Sequence, residues 1–102
     1  MEATMTEMDN YKGATAMHYA AKSNSPEILE MLLAKGAAIN AQDENGFTPL
    51  MYAIMRHSNK AVRFLAESGA DLSIASRYDG DCHSIAALAK NGEAENILKN
   101  FQ

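Results

Sequence analysis

The sequence is poor in the residues that mark disulfide-rich and membrane-spanning proteins. Its 102 residues include one cysteine, two prolines and no tryptophan. The single cysteine, Cys82, excludes a disulfide framework within the chain, and it is typical of a reducing compartment, so we expect a cytoplasmic protein. No apolar run approaches the roughly 20 residues of a membrane span. The first ten residues are acidic and lack the apolar stretch of a secretory signal.

The charge of the chain is acidic and dispersed. Nine basic and 13 acidic residues give a formal net charge of −4, and no cluster of Lys and Arg is present. Because nucleic-acid binding depends on concentrated positive charge, this distribution argues against a nucleic-acid partner. A hydrophobic content of 47% is typical of a folded protein, and the length allows one domain.

One block of sequence occurs twice. Gly13-Ala14-Thr15-Ala16-Met17-His18-Tyr19-Ala20-Ala21 recurs as Gly46-Phe47-Thr48-Pro49-Leu50-Met51-Tyr52-Ala53-Ile54. The offset from Gly13 to Gly46 also joins Leu32 to Leu65, Gly36 to Gly69 and Ala37 to Ala70. A fixed period in this range indicates stacked units that share a continuous core.

Each of the first two units predicts two helices. Thr15 and Thr48 are suitable N-caps for the first helices, and Ser25-Pro26 predicts the start of a second helix. Gly36 and Gly69 end the second helices, because the left-handed cap suits a residue without Cβ. Apolar side chains at helical spacing predict the core, with Met17 and Met31 among them; the second helices contribute Ile28, Leu29, Leu32, Leu33, Ala61, Val62, Phe64 and Leu65.

The third unit departs from the pattern. Gly80 lies one position further from Gly46 than Gly46 lies from Gly13, which predicts an extra residue in the loop near Tyr78. We expect helices over 84–90 and 93–100, separated by a break at Asn91-Gly92. The polar outer face of the last helix is what a terminal unit needs for solubility. The predicted organisation is a lead over 1–9, repeats over 10–42 and 43–76, and a degenerate capping repeat over 77–102.

These units resemble the ankyrin repeat. The resemblance covers about residues 10–102 and is carried by Thr48-Pro49-Leu50, His18-Tyr19-Ala20-Ala21, Leu32-Leu33-Ala34-Lys35-Gly36-Ala37 and Ser68-Gly69-Ala70-Asp71. It implies an all-α solenoid of stacked helix-turn-helix units with hairpin finger loops. It also implies that His18 ties neighbouring loops by hydrogen bonds, a link that Met51 puts in doubt in the second unit.

Residues with reactive side chains do not form a recognisable catalytic or metal site. Cys82-His83 is the one adjacent nucleophile and base, but neighbours in sequence rarely adopt the geometry that this pair needs. The acids Asp71, Asp79 and Asp81 lack the ligand spacing of a calcium loop and are interpreted as solvated loop charges. We therefore predict no enzyme, no cofactor and no metal.

The resemblance places the variable positions at the fingertips and along the inner face of the first helices. Tyr, Phe and Arg at such positions are typical of binding hot spots, although the aromatic rings could instead fold back onto the loops. The predicted partner-binding residues are Tyr11, Lys12, Lys22, Gln42, Glu44, Asn45, Phe47, Met55, Arg56, Arg77, Tyr78 and Asp79, with Ser23 and Asp81 beside them.

Three functional hypotheses follow. The leading one is a non-enzymatic module that binds a protein partner through its concave face, as a small inhibitor or a toxin-neutralising immunity protein. The alternative is a structural subunit that self-associates through exposed repeat ends, with Met17 and Met31 near the N-terminal end. An enzyme that uses Cys82 or a histidine is the third. A monomer that binds neither nucleic acid nor membrane is expected, and the identity of the protein partner stays open.

Overall fold

Six short helices, arranged in three pairs, make up the regular structure of residues 13–101, the part of the chain that the computed structural model describes. They are α1 (Ala16–Lys22), α2 (Pro26–Ala34), α3 (Pro49–Met55), α4 (Asn59–Glu67), α5 (Cys82–Leu88) and α6 (Gly92–Lys99). The first helices of the pairs, α1, α3 and α5, pack side by side, and the second helices, α2, α4 and α6, form a layer behind them. The predicted all-α ankyrin-like solenoid is confirmed. None of these six helices has the length and apolarity to cross a membrane.

The predicted caps begin and end the helices. Thr48 caps α3, because its Oγ1 accepts a hydrogen bond from the Met51 amide at 3.3 Å, and Pro49 occupies the first helical turn. Gly36 and Gly69 follow α2 and α4 with φ of 91° and 95°. These left-handed angles favour glycine, which explains why both positions lack a side chain.

The turn inside each helix pair repeats with the same period as the sequence block. Asn24, His57 and Lys90 have left-handed backbones with φ of 60°, 57° and 57°. The next residues, Ser25, Ser58 and Asn91, are the N-caps of the second helices. This common geometry brings polar side chains to the boundary between neighbouring pairs.

Asn91 shows how these turns join the pairs. Its side chain is 2% exposed, and its Nδ2 donates hydrogen bonds to Ile54 O at 3.0 Å and to Asn59 Oδ1 at 2.9 Å. Its Oδ1 accepts from the Ala94 amide at 3.1 Å and so caps α6. One buried side-chain amide therefore caps the start of its own helix and also hydrogen-bonds to two residues of the preceding pair.

The third helix pair keeps the period more closely than the glycine spacing indicates. Helix α5 begins at Cys82, earlier than predicted, because the Asp81 carboxylate accepts from the Ser84 amide at 3.0 Å and caps it. Asn91-Gly92 is the cap and first residue of α6, so the expected break marks a helix start. The cap Asp81 follows Thr48 at the same offset that separates Thr48 from Thr15. The segment before Gly80 is therefore one residue longer than its counterpart before Gly46. The segment between Gly80 and the cap is one residue shorter, so the period of the caps is unchanged.

The core prediction is right for Met17 and wrong for Met31. Met17 is buried, whereas Met31 is 60% exposed and Ile28 is 47% exposed on α2. Ala61 and Ala94, which correspond to Ile28, are buried because α4 and α6 pack against the preceding pair. Within residues 13–101 no helix pair precedes α2, so its equivalent face is exposed.

Candidate functional site

His18 ties the loop before α1 to the next finger. Its Nδ1 accepts a hydrogen bond from the Thr15 amide at 3.0 Å, which assigns the ring proton to Nε2. The Nε2–H then donates to Phe47 O at 2.7 Å. Burial lowers the pKa of the ring, so the neutral form of this tautomer is favoured. The link that the resemblance implies is present.

Met51 occupies the corresponding position on α3. Its buried Sδ accepts from the Thr48 amide at 3.4 Å, as Nδ1 of His18 does for Thr15. A thioether has no proton to donate. The local half of the histidine arrangement is therefore kept in the second pair, and the link from this side chain to the following finger is lost.

A buried carboxylate organises the first finger, defined as residues 41–47. Asp43 Oδ1 accepts hydrogen bonds from the amides of Asn45 and Phe47, both at 2.9 Å. The hydroxyl of Tyr52, on α3, donates to Asp43 Oδ2. The Phe47 ring lies edge-on to Tyr52 with centroids 6.2 Å apart. The finger is thereby fixed to the helix beneath it.

The second finger, residues 74–80, is built on a serine at the same position of the period. Ser76 Oγ accepts from the Asp79 amide at 3.0 Å and donates to Gly80 O at 2.9 Å. The Arg77 amide donates to Asn45 O at 2.8 Å, so the two fingers are hydrogen-bonded to each other. A Cβ on Gly46 would lie 2.9 Å from the Arg77 nitrogen, which explains the glycine there.

The first cavity of the concave face, the surface formed by the fingers and the first helices, brings five predicted residues together. It has a volume of about 360 Å³. The predicted residues that line it are Lys22, Asn45, Phe47, Met55 and Arg56. Sequence reasoning missed Asp43 and Tyr52, which also line it. A polar residue at the finger position of Asp43, followed by a tyrosine on the next helix, is the signal that could have indicated their contact.

A second cavity adjoins the first, because Met55 lines both. It has a volume of about 330 Å³, and its other lining residues are Asp79, Ile85, Leu88 and Ala89. Only Met55 and Asp79 of this set were predicted. Leu88 is not among the predicted partner-binding residues, and 68% of its side chain is exposed. The two cavities share Met55, draw their lining in part from α1, α3 and α5, and are together called the groove.

The remaining predicted residues lie around this groove or serve the loops. Ser23, Glu44 and Arg77 are exposed, and Tyr78 is 80% exposed at the tip of the second finger. Gln42 Nε2 donates to Gly46 O at 3.0 Å and supports its own finger. Asp81 caps α5, as described above. Tyr11 and Lys12 lie outside the described residues.

The geometry around Cys82 opposes a role as a nucleophile. The thiol is buried and donates a hydrogen bond to Leu72 O at 3.3 Å. Burial raises its pKa to about 11, so the reactive thiolate is disfavoured at neutral pH. Asp71 is engaged by Ser73, whose hydroxyl lies 2.6 Å from Oδ1 and lowers the pKa of the carboxyl. Residues 13–101 contain no group of three or more His, Cys, Asp or Glu residues that could hold a metal ion.

Comparisons with known proteins agree with this architecture. Residues 2–76 match the family described as "Ankyrin repeats (3 copies)". The chain is 33% identical over 97 residues to Protein glp-1 of Caenorhabditis elegans, which covers 95% of the chain and 8% of that protein. It is 37% identical to the B-cell lymphoma 3 protein homolog of Mus musculus, over 92% of the chain and 23% of that protein.

A third relative is the NF-kappa-B inhibitor cactus of Drosophila yakuba. The identity is 31% over 91% of the chain and 20% of that protein. The chain thus spans less than a quarter of the length of each of these three relatives. The matched family, the helix pairs at a fixed period and the histidine link between loops lead to one assignment: the chain belongs to the ankyrin-repeat family.

Proposed function

We propose that this protein binds a protein partner through its concave face and performs no catalysis. The observation that carries the proposal is the groove of two adjoining cavities beneath the fingers. Concave, largely apolar surfaces with a few polar groups are typical binding sites. Ankyrin repeats are protein–protein interaction modules, and stacked repeats present extended concave faces of this kind.

We further propose that binding blocks the partner, as an inhibitor or a toxin-neutralising immunity protein does. The hydrogen bonds within and between the fingers hold the face in one shape, which reduces the entropy lost on binding. One relative, cactus of Drosophila yakuba, is itself named an inhibitor. A small rigid surface of this kind covers a partner without needing reactive groups of its own.

The test is retention of a partner by variants of the groove. The protein is immobilised, exposed to extract from its native source, and the retained proteins are quantified by mass spectrometry. The double variant Arg56→Ala, Tyr78→Ala removes two exposed side chains of hot-spot type and should lower retention of the specific partner about tenfold or more. The matched control, Lys60→Ala with Phe101→Ala, removes an exposed cation and a partly exposed ring outside the groove.

Two results would contradict the proposal. Unchanged retention by the groove variant would show that binding lies elsewhere. An equal loss in groove variant and control would show that the effect is not specific to the concave face.

A second candidate function is self-association through the end face of α2. The exposure of Ile28 and Met31 favours it, since the equivalent face of α4 and α6 is covered by a preceding pair. Another copy of the chain would cover this face. Light scattering tests this: the mass should rise with concentration, and Met31→Glu should return it to that of a monomer. A monomeric wild-type protein at high concentration would exclude it.

A further inference from the structure

The two layers of helices differ in their acidic residues. The first helices α1, α3 and α5 contain no Asp or Glu, and two exposed or half-buried cations, Lys22 and Arg56, lie at the ends of α1 and α3. The second helices carry five glutamates, Glu27, Glu30, Glu67, Glu93 and Glu95, and three cations, Lys60, Arg63 and Lys99. In a chain with a net charge of −4, the first cavity is nevertheless lined by two cations, Lys22 and Arg56, and one carboxylate, Asp43.

The cations are confined to one end of the groove. Lys22, Met55 and Leu88 occupy the same position of the period, at the last residue of the three first helices. The next position holds Ser23, Arg56 and Ala89. The first cavity is consequently lined by two cations, whereas the second is lined mainly by apolar residues, with Met55 between them.

Two carboxylates, Asp43 and Asp79, line the groove beside these cations. Asp43 is buried, and both of its oxygens accept hydrogen bonds from the finger and from Tyr52. Asp79 lines the second cavity, and the two cations line the first. With two cations and one carboxylate that is already hydrogen-bonded within the protein, the lining of the first cavity favours a negatively charged group.

From this arrangement we infer the chemistry of the partner, on the basis of the proposed function. The partner presents an acidic side chain to Lys22 and Arg56 and a large apolar side chain to Met55 and Leu88. Because adjacent helices pack 8–10 Å apart, these two contacts are separated by about 10 Å. That distance equals about seven residues of a helix or about three residues of an extended strand.

The test uses a phage-displayed library of random 16-residue peptides, selected separately on the wild-type protein and on the double variant Lys22→Glu, Arg56→Glu. Wild-type protein should select peptides that combine Asp or Glu with a large apolar residue at one of these separations. The charge-reversed protein should select Lys or Arg in place of the acid. A peptide from the first selection should bind Arg56→Glu about tenfold or more weakly, and replacing its acid with Lys should restore that affinity.

The controls separate this inference from the proposed function. Lys60→Glu makes the same charge reversal on α4, outside the groove, and should leave the affinity of the selected peptide unchanged. Leu88→Glu should weaken the peptide because it removes the apolar contact. If selected peptides lose affinity with Leu88→Glu but show no preference for an acid, the inference is wrong while the concave-face proposal stands.

Three other results overturn the inference. Binding that withstands every groove variant would refute it together with the proposed function. A selection that enriches no peptide would show that the groove lacks the stated specificity. Sedimentation that reveals a dimer dissociated by Leu88→Glu would show that the groove is occupied by a second copy of the chain.

Discussion

At the scale of single residues, His18 gives the protein a specific sensitivity to acid. Burial lowers the pKa of the folded ring below its ordinary value of 6.5, so below that pH the unfolded chain binds a proton that the folded chain does not. The unfolding free energy should therefore be insensitive to this group above pH 6.5. It should fall by up to about 1.4 kcal/mol per pH unit as the pH decreases from 6.5 toward the folded pKa.

The variant His18→Met isolates this contribution, because the chain itself places methionine at the equivalent position 51. The variant should be about 1 kcal/mol less stable at pH 7.5, since it loses the hydrogen bond to Phe47 O. Between pH 6.5 and 5.5 its stability should decline less than that of the wild type. Urea unfolding across this range measures the free energy of unfolding of both proteins. If the two free energies fall in parallel with decreasing pH, His18 is not the group that takes up a proton on unfolding.

Residue burial was predictable only where one helix pair decides it. Met17 is buried, as the apolar pattern of its own helix predicts. Met31 has the same apolar character, but its burial depends on whether another pair precedes it, which local periodicity does not record. Leu88 was not predicted as a groove residue for a related reason, because its exposure beside the second cavity depends on how the pairs stack.

At the scale of helices and turns, the left-handed residue of each pair offers a test of backbone strain. Asn24 and His57 use their side chains across the pair boundary, with Asn24 Oδ1 accepting from the Ala61 amide at 3.0 Å and His57 Nε2 lying 3.1 Å from Ala89 O. Lys90 is exposed, has φ of 57°, and makes its turn contact through its main chain, from its amide to Ala87 O at 3.1 Å. Of the three left-handed positions, Lys90 is therefore the one where replacement by glycine removes the fewest side-chain contacts.

Lys90→Gly should stabilise the protein by about 0.5–1 kcal/mol. A residue with Cβ pays roughly 1–2 kcal/mol in the left-handed region, and the added flexibility of glycine in the unfolded chain offsets part of that gain. Arg63→Gly removes the same charge from the interior of α4 and should cost about 1 kcal/mol. Thermal and urea unfolding would measure both. Destabilisation by Lys90→Gly would show that its side chain contributes a contact that outweighs the strain.

Helix existence was predictable from the sequence, and helix boundaries in the third pair were not. The cap, proline and glycine signals of the first two pairs have direct local causes. In the third pair Asp81 replaces threonine as the cap, and the residue gained in the finger hides the unchanged period. The candidate groove followed from the resemblance, but the pairing of its two cavities through Met55 depends on how three helices pack.

At the scale of the whole molecule, the positions that face along the stack change character from pair to pair. Leu29 and Val62 are buried at one such position, and Glu95 stands at the corresponding position of α6. At a second such position, Leu33 and Ala66 of the first two pairs correspond to Lys99 of α6. Since the apolar members of each set belong to the core or pack against it, we expect the charged members to prevent a further pair from docking on α6.

The double variant Glu95→Val, Lys99→Ala should therefore convert the outer face of α6 into a surface that another copy can cover. Its apparent mass in sedimentation velocity should increase with concentration more steeply than that of the wild type, because a contiguous apolar face favours association. Glu93→Val is the matched control, since Glu27 and Lys60 at the equivalent positions are exposed in the other pairs. If the double variant and Glu93→Val sediment alike, the two charges do not control how the stack ends.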